Sequence, residues 1–219
     1  MTAPGFDKPL RSDAERNRQR ILAAAATVFA ERGLAASLDD IATAAGVGVG
    51  TVYRRFPDKD ALIDALFEEK IAKILALAHE GLEQPDPWDG LSGFMRGVCR
   101  LQAEDQGLKE ALLQVDRGKK LAVTRNTIAP VAGELLKRAQ DAGVVRADLD
   151  THDIPIMHFS VGFVADRTRE DSPRYWERVL TIFLDGIRVR RDQPTPMPAP
   201  PLDRDQFIGA MSLRHSRGG

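Results

Sequence analysis

The stretch Ser37–Lys59, SLDDIATAAGVGVGTVYRRFPDK, decides the fold of this chain. Ser37 is followed three residues later by Asp40, a pairing typical of a capping box, so a helix is predicted to begin one residue after the serine. Gly46 is expected to end this helix, because glycine readily adopts the left-handed conformation found there. A second short helix is predicted over about 49–56. The stretch is therefore predicted to form a helix-turn-helix.

The second helix of this unit has one apolar face and one polar face. Val52 and Phe56 are four residues apart, so both side chains are predicted to point inward. The opposite face carries side chains that donate hydrogen bonds to phosphates and base edges, and no acidic residue of the stretch interrupts it: Thr51, Tyr53, Arg54 and Arg55. Since such a helix lies in the major groove, this face predicts DNA binding. A solvated helical hairpin with two incidental arginines is the alternative.

Further residues accompany this unit at fixed spacings: Ile21-Leu22-Ala23-Ala24-Ala25, Phe29-Ala30-Glu31-Arg32-Gly33, Ala45-Gly46-Val47 and Gly50-Thr51-Val52-Tyr53. With them, the chain resembles the DNA-binding domain of the TetR-type (tetracycline-repressor family) transcriptional regulators over about residues 16–63. The resemblance implies a homodimer whose three N-terminal helices bind an operator and whose variable C-terminal helical domain binds an inducer. One departure is Gly48, where family members often have a capping Ser or Thr; glycine supplies no side-chain acceptor.

Lys59 extends the predicted DNA-binding surface beyond the second helix. It lies at the start of the next predicted helix, where its ammonium and free backbone N–H groups can together hold one phosphate. The predicted DNA-binding residues are Ser37, Gly48, Val49, Thr51, Tyr53, Arg54, Arg55 and Lys59.

The composition fits a soluble globular protein. Of the 219 residues, 43% are apolar and 29% charged, and no uninterrupted apolar run approaches the ~20 residues of a membrane span. The first 20 residues lack the apolar core of a secretory signal, so a cytoplasmic protein without membrane association is expected. The single cysteine, Cys99, has no partner for an internal disulfide and is expected to be a buried small apolar residue.

The net charge of −1 conceals an uneven distribution. Residues 1–59 carry nine Lys or Arg against seven Asp or Glu, whereas the remainder carries 22 against 25. A local basic surface with an acidic remainder is typical of a regulator that contacts DNA through one small face.

Four segments are predicted in an all-α chain of about nine helices. Residues 1–12 form a flexible arm whose Lys8 and Arg11 follow the DNA backbone or have no role, and residues 13–57 form the DNA-binding domain. Residues 58–191 form a helical effector-binding and dimerisation domain that begins with a helix of about 25 residues. Residues 192–219, rich in proline, are predicted to form a mostly disordered tail, with docking of a short helix as the alternative.

Two late helices are predicted to form the dimer interface. The first, over about 151–168, is apolar nearly all round, and the second begins at Ser172. Together they need more partner surface than one small domain offers, so a four-helix arrangement with a second copy is expected. The predicted interface residues are Phe159, Phe163, Trp176, Leu180, Phe183 and Ile187.

A pocket in the second domain is predicted to bind a small, apolar effector. Its predicted lining is Phe94, Val98, Leu101, Leu112, Met157 and His158, with His158 as a polar contact; plain core packing is the alternative for each residue. The identity of the effector, the operator sequence and the choice between repressor and activator are left open.

Catalytic residues, a metal site and a cofactor are not predicted. The four histidines are scattered at positions 79, 152, 158 and 215 without carboxylates at metal or triad spacing, which argues against the rival hypothesis of an enzyme. A helical interaction module that does not bind DNA is the third possibility. The leading hypothesis is a dimeric, ligand-responsive regulator of transcription on a palindromic operator, with repression as the favoured mode and activation as the alternative.

Overall fold

The computed structural model describes residues 8–104, 122–190 and 195–211. Within these ranges the chain forms nine α-helices and no β-strand, which confirms the all-α class. The helices are α1 Lys8–Arg32, α2 Leu38–Ala45, α3 Val49–Arg55, α4 Lys59–Glu83, α5 Pro87–Glu104, α6 Ala129–Asp141, α7 Asp153–Thr168, α8 Tyr175–Ile187 and α9 Arg204–Met211. The sequence also predicts a short helix after Gly107 that includes Leu112, and this segment lies outside the described residues.

Helix α1 begins five residues earlier than the sequence predicted. It was expected from Asp13, but residues 8–12 of the predicted arm are already helical. Pro9 permits this, because the first turn of a helix has no use for the backbone N–H that proline lacks. The arm prediction is therefore wrong for these five residues.

The first compact unit contains α1 to α3 and α4 as far as Ala72. Its core consists of apolar side chains at helical spacing that are at most 5% exposed: Ile21, Leu22, Ala25, Val28, Phe29, Leu38, Ile41, Ala42, Val52, Phe56, Leu62, Ile63 and Leu66. The sequence predicts a domain boundary after Pro57, whereas the contacts group the first half of α4 with the preceding helices. Because Leu62 and Leu66 are buried, that half-helix contributes to the first core.

The second unit begins at Lys73 and includes the rest of α4 and helices α5 to α9. Its apolar core draws on α4, α5, α6, α7 and α8, with Leu91, Met95, Leu135, Ile154 and Leu180 at most 2% exposed. The loop after α6 pairs with the end of α8: Arg146 N donates to Ile187 O at 3.0 Å and Val189 N to Val144 O at 3.1 Å. These bonds fix the end of α8 beside the loop after α6.

Helices α4 and α5 cross at two glycines. A Cβ added at Gly90 would lie 2.3 Å from the carbonyl oxygen of Gly81, so the two backbones touch and no side chain fits between them. Arg138 of α6 secures the turn between these helices, donating to the carbonyls of Leu82 at 2.7 Å and Gln84 at 2.6 Å. Asp86 caps α5 by accepting from the backbone N–H of Trp88.

The sequence predicts a helix over about 119–142 that Pro130 kinks or splits. A π-helical turn, Thr124–Ile128, precedes α6, and Pro130 lies in the first turn of that helix. The proline thus marks a helix start, where its missing N–H has no cost. Gly143 ends α6 with φ +68°, as expected.

The C-terminal segment is more ordered than predicted. Residues 204–211 form α9, which is capped reciprocally by Asp203 and Gln206. Thr195 N donates to Asp185 Oδ2 at 3.1 Å, and Arg178 donates to the Ala199 carbonyl at 3.1 Å. The prediction of a disordered tail is therefore wrong for residues 195–211. The segment is attached by these hydrogen bonds, which a search for runs of apolar residues does not detect.

Candidate nucleic-acid interface and effector domain

The turn between α2 and α3 is fixed by side-chain bonds at both ends of α2. Asp40 N donates to Ser37 Oγ at 3.1 Å and Ser37 N to Asp40 Oδ2 at 2.9 Å, so the predicted capping box is present. Gly46 ends the helix with φ +63°. Arg20 of α1 donates to the Ala45 carbonyl at 2.8 Å and thereby satisfies an otherwise unpaired helix end. Ser37 is therefore primarily a cap.

Helix α3 presents the outward face that the sequence predicted. Val52 and Phe56 are 0% and 4% exposed, which anchors the helix on the first core. Val49, Tyr53, Arg54 and Arg55 are exposed, and Thr51 is half-buried. Gly48 is the N-cap and its side-chain acceptor is missing, as noted from the sequence. The exposed face is suited to hydrogen bonding with phosphates and base edges.

The two arginines of α3 have different surroundings. Arg54 folds back along its own helix, donating through Nε to the Gly50 carbonyl at 3.1 Å. Arg55 Nη2 lies 3.6 Å from Oε2 of Glu15 on α1. The expectation that no acid interrupts this face holds for the stretch itself but not for the folded unit, because α1 brings a carboxylate to Arg55.

Lys59 makes a structural bond that the sequence did not indicate. Its half-buried ammonium donates to the Leu34 carbonyl at 2.7 Å and so attaches the start of α4 to the 3-10 turn Gly33–Ala35. Asp58 Oδ1 accepts from Ala61 N at 2.7 Å and occupies part of the helix end proposed for a phosphate. Two ammonium protons remain for a phosphate, so both roles are compatible.

Four of the six predicted effector residues are buried in the second unit. Phe94, Val98, Met157 and His158 are 2–8% exposed and Leu101 is half-buried. The rings of Phe94 and His158 meet edge to face with centroids 6.0 Å apart. Helices α5 and α7 therefore meet at Phe94 and His158 within the predicted effector region, while Leu112 lies outside the described residues.

An open cleft of about 340 Å³ lies elsewhere in this unit. It is lined by α7, α8 and the loop before α7, with Leu149, Met157, Ile182 and Phe183 as apolar lining and Arg146 at its polar side. Arg146 is held by Asp148 at 2.6 Å. Of the predicted effector residues only Met157 lines this cleft.

The predicted interface residues divide into exposed and buried groups. On α7, Phe159 and Phe163 are 72% and 54% exposed, and Ile156, which the sequence analysis did not single out, extends the same face. Trp176, Leu180 and Ile187 are buried in the chain's own core, and Phe183 is half-buried. These three buried residues cannot form an exposed surface. On α8 the exposed apolar side chain is Ile182, which helical spacing alone did not distinguish from its buried neighbours.

Neither a metal site nor a membrane-spanning helix is found in the described ranges. No group of histidine, cysteine and acidic residues there could hold a metal ion. No helix there is long and apolar enough to cross a membrane.

A helix-turn-helix with an exposed basic reading helix, followed by a larger helical unit, defines a helical DNA-binding regulator. Comparison with known proteins specifies the class. The family model "Bacterial regulatory proteins, tetR family" matches residues 21–66, and "Transcriptional regulator SbtR-like, C-terminal domain" matches residues 86–189. The chain belongs to the TetR family of transcriptional regulators, which are DNA-binding proteins rather than enzymes.

Individual relatives agree with this assignment. A TetR transcription regulatory protein from Mycobacterium vanbaalenii is 39% identical with a TM-score of 0.66, covering 83% of this chain and 100% of that one. The regulator SCO0520 from Streptomyces coelicolor is 33% identical with a TM-score of 0.63, covering 78% and 98%. The transcriptional repressor LfrR of Mycolicibacterium smegmatis is 40% identical over 105 residues, which are 48% of this chain and 51% of that protein. The chain thus matches about half the length of that curated repressor.

Proposed function

We propose that this protein is a repressor that binds a palindromic operator as a homodimer and leaves it when a small apolar ligand binds the second unit. The observation that carries the proposal is the exposed face of α3, with Tyr53, Arg54 and Arg55 held outward by the buried Val52 and Phe56. Repression is supported by the similarity to the repressor LfrR. A regulator of this kind acts in the cytoplasm, where the DNA is.

The operator contacts fall into two groups. Arg54 is the base-reading residue, because a guanidinium forms two hydrogen bonds with guanine, and Val49 and Thr51 lie beside it on the first turns of α3. Tyr53, Arg55 and Lys59 contact phosphates, and Ser37 and Gly48 bring the two helix ends close to the DNA backbone. Phosphate contacts position the helix, while base contacts specify the sequence.

The dimer uses the exposed apolar face of α7. Ile156, Phe159 and Phe163 are spaced at three and four residues and are more than half exposed. A two-fold axis through this face brings the same apolar surface of two subunits together and buries both copies. The dimer then has two reading helices, one for each half of a palindromic operator. The half-buried Phe183 and the exposed Ile182 adjoin it on α8.

Effector binding is placed in the core between α5 and α7. Phe94, Val98 and Met157 provide apolar contacts there, with His158 beside Phe94, and Leu101 and Leu112 complete the proposed set. An apolar ligand that enters must rearrange this packing. The ligand therefore binds the rearranged state more tightly than the packed state. This difference in affinity shifts the protein from one state to the other.

The test is a selection of DNA fragments from a random library, followed by fluorescence anisotropy with the enriched fragment. We expect a palindromic consensus, and an affinity that falls steeply as salt rises because bound phosphates release counterions. A fragment containing one half-site should bind much more weakly than the full site. Failure to enrich any sequence, or an affinity insensitive to salt, would overturn the proposal.

A further inference from the structure

Two buried side-chain atoms in the second unit have no hydrogen-bond partner among the described residues. They are Nε2 of His158 on α7 and Oε1 of Gln102 on α5. Folded proteins pair nearly all buried polar atoms, because an unpaired one is destabilising. Two such atoms on neighbouring helices suggest that a further molecule supplies the missing bonds.

The two atoms lie at the same helix contact. His158 and Gly162 are four residues apart and therefore share one face of α7. A Cβ added at Gly162 would lie 2.9 Å from Gln102 Oε1, so the amide oxygen sits directly over this glycine. His158 in turn contacts the ring of Phe94 on α5. The two positions on α7 are one turn, about 6 Å, apart along the helix axis.

Both atoms accept hydrogen bonds. Burial lowers the pKa of His158 to about 4, so its ring is neutral at neutral pH and carries one N–H. A hydrogen bond to the Met95 backbone opposes this shift, as expected when a ring N–H donates to a carbonyl. Since Nε2 is unpaired, the proton belongs to Nδ1 and Nε2 presents a lone pair. Gln102 Oε1 is an amide oxygen and also an acceptor.

The surroundings of these acceptors select against charged ligands. Phe94 and Val98 are 2% and 4% exposed, and they lie on the same side of α5 as Gln102. A carboxylate would direct its own lone pairs at two acceptors and would lose its hydration in an apolar environment. Two hydroxyl or neutral N–H donors, one for each acceptor, instead complete both hydrogen bonds.

We propose that the ligand is a neutral apolar molecule carrying hydroxyl donors, of the phenol or alcohol class, and that His158 Nε2 and Gln102 Oε1 accept its hydrogen bonds. This inference rests on the proposed function, since it names the ligand chemistry of the same effector region. Gln102 was not among the residues predicted from the sequence. His158 is the ring acceptor and Gln102 the second contact, one helical turn away.

The first test compares donors with matched non-donors by isothermal titration calorimetry. The probes each carry two hydroxyl donors, one for each acceptor: naphthalene-1,3-diol, biphenyl-3,5-diol and cyclohexane-1,3-dimethanol, with the dimethyl ether of each as the matched non-donor and 2-naphthoate as the anion. At least one hydroxyl compound is expected to bind at least tenfold more tightly than its own ether, and the anion most weakly. Equal binding within every pair, tighter binding of 2-naphthoate, or no binding by any hydroxyl probe up to its solubility limit overturns the proposal.

Variants then test whether the two residues cause the preference for the hydroxyl compound over its ether. His158→Phe and Gln102→Met remove one acceptor each while keeping an apolar side chain of similar size, and each is expected to reduce the tenfold preference to less than threefold. The free variants should melt at the same temperature as the wild type or higher, because an unpaired buried acceptor has been removed. His152→Phe, at an exposed ring held by Asp150, is the matched control and should retain the preference.

The same variants exclude a purely structural role. A His158→Phe protein that melts lower and still distinguishes hydroxyl from ether contradicts the proposal. Operator release is measured separately, with a DNA fragment selected by the wild type. Probes that bind with the expected preference but leave DNA affinity unchanged contradict the proposed induction alone. Suppose instead that ligands without donors release the DNA, and that neither variant changes this release. That result contradicts the assignment of the ligand class and leaves the proposed induction intact.

Discussion

Arg54 and Arg55 are adjacent in the sequence but differ in what the fold offers them. Arg54 lies along its own helix, bonded to the Gly50 carbonyl and close to Thr51, and can extend without breaking a contact to another element. Arg55 faces Glu15 of α1 across 3.6 Å. Exposed ion pairs of this kind contribute at most about 1 kcal/mol, so Arg55 is available to a phosphate at little cost.

Arg54→Ala is predicted to relax the preference at one base pair of each half-site. Loss of a bidentate contact with guanine should reduce the discrimination by about 1–3 kcal/mol. Arg55→Ala is the matched comparison and should weaken binding to all sequences alike, since a phosphate contact carries no sequence information. Selection from a randomised operator library measures both effects. An unchanged consensus for Arg54→Ala would show that this arginine does not read a base.

The sequence predicts such residues only in part, for a physical reason. The period of four between Val52 and Phe56 fixes which side of α3 is outward, because burial of two large apolar side chains outweighs local alternatives. The partner of an exposed charge depends on which other helix passes nearby. Arg20 at the Ala45 carbonyl, Lys59 at Leu34 and Glu15 at Arg55 all join residues distant in the sequence, and no local pattern encodes them.

At the scale of the element, helix ends and helix crossings determine the geometry. The capping box of α2 was evident from Ser37 and Asp40, because its partners are three residues apart. The helix start predicted at Ser172 was wrong: Ser172 and Pro173 lie in a turn, and α8 begins at Tyr175 without a side-chain cap. The bond of Tyr175 N is made to the Ser172 carbonyl instead of its hydroxyl. At this position the serine–proline pair therefore marks a turn before the helix and not the helix start.

Ser37→Ala is predicted to destabilise the first unit by about 1 kcal/mol in the free energy of unfolding, because the backbone N–H of Asp40 loses its acceptor. Chemical denaturation at neutral pH measures the change. Thr43→Ala, at an exposed hydroxyl that bonds only to the carbonyl of Asp39 one turn earlier, is the control and should have a smaller effect. An equal effect of both substitutions would contradict the role of the capping box.

The same cap gives a pH dependence. Hydrogen bonds from the Ser37 hydroxyl and backbone N–H lower the pKa of Asp40 below its ordinary 3.8, so the folded state prefers the carboxylate. The stabilisation is present above pH 3.8 and is lost as the pH falls through the lower folded value. We expect Asp40→Asn to flatten the decline in stability below about pH 4. A variant that declines as steeply as the wild type would exclude Asp40 as a contributor.

Gly90→Ala is predicted to disrupt the crossing of α4 and α5. The new methyl group would lie 2.3 Å from the Gly81 carbonyl oxygen, which is backbone and cannot move without separating the helices. We expect a loss of about 2 kcal/mol or more, in the range of overpacked cores. Gly93→Ala on the same helix is the control: nothing lies within 4 Å of its added Cβ, and it should stabilise by up to about 1 kcal/mol through helix propensity. Thermal melting of both variants decides the comparison.

At the scale of the whole molecule, the exposed apolar face of α7 is the surface on which the proposed dimer depends. Phe159→Asp is predicted to produce monomers, because the two-fold axis places two unpartnered charges in one interface. Phe159 is preferable to Phe163 for this test. The Arg167 guanidinium lies 5.1 Å from the Phe163 ring and could pair with an aspartate at that position.

The Phe159→Asp variant should lose most specific DNA affinity while keeping its melting behaviour, since the residue is 72% exposed. A monomer cannot span two half-sites one turn of DNA apart. Light scattering and fluorescence anisotropy on the same sample give both readouts, with Ala76→Asp on the exposed side of α4 as the control. A dimeric Phe159→Asp protein with normal affinity would place the interface elsewhere.

Cys99 has a practical consequence for experiments on this protein. It is the single cysteine of the sequence, is 1% exposed, and burial raises the pKa of its thiol to about 12. Alkylating dyes react with thiolates, so the native thiol should remain unlabelled at neutral pH. A cysteine introduced at an exposed position can therefore carry one fluorophore in a wild-type background. Distance measurements between labelled positions could then follow the free, DNA-bound and ligand-bound states without removing Cys99 from the core.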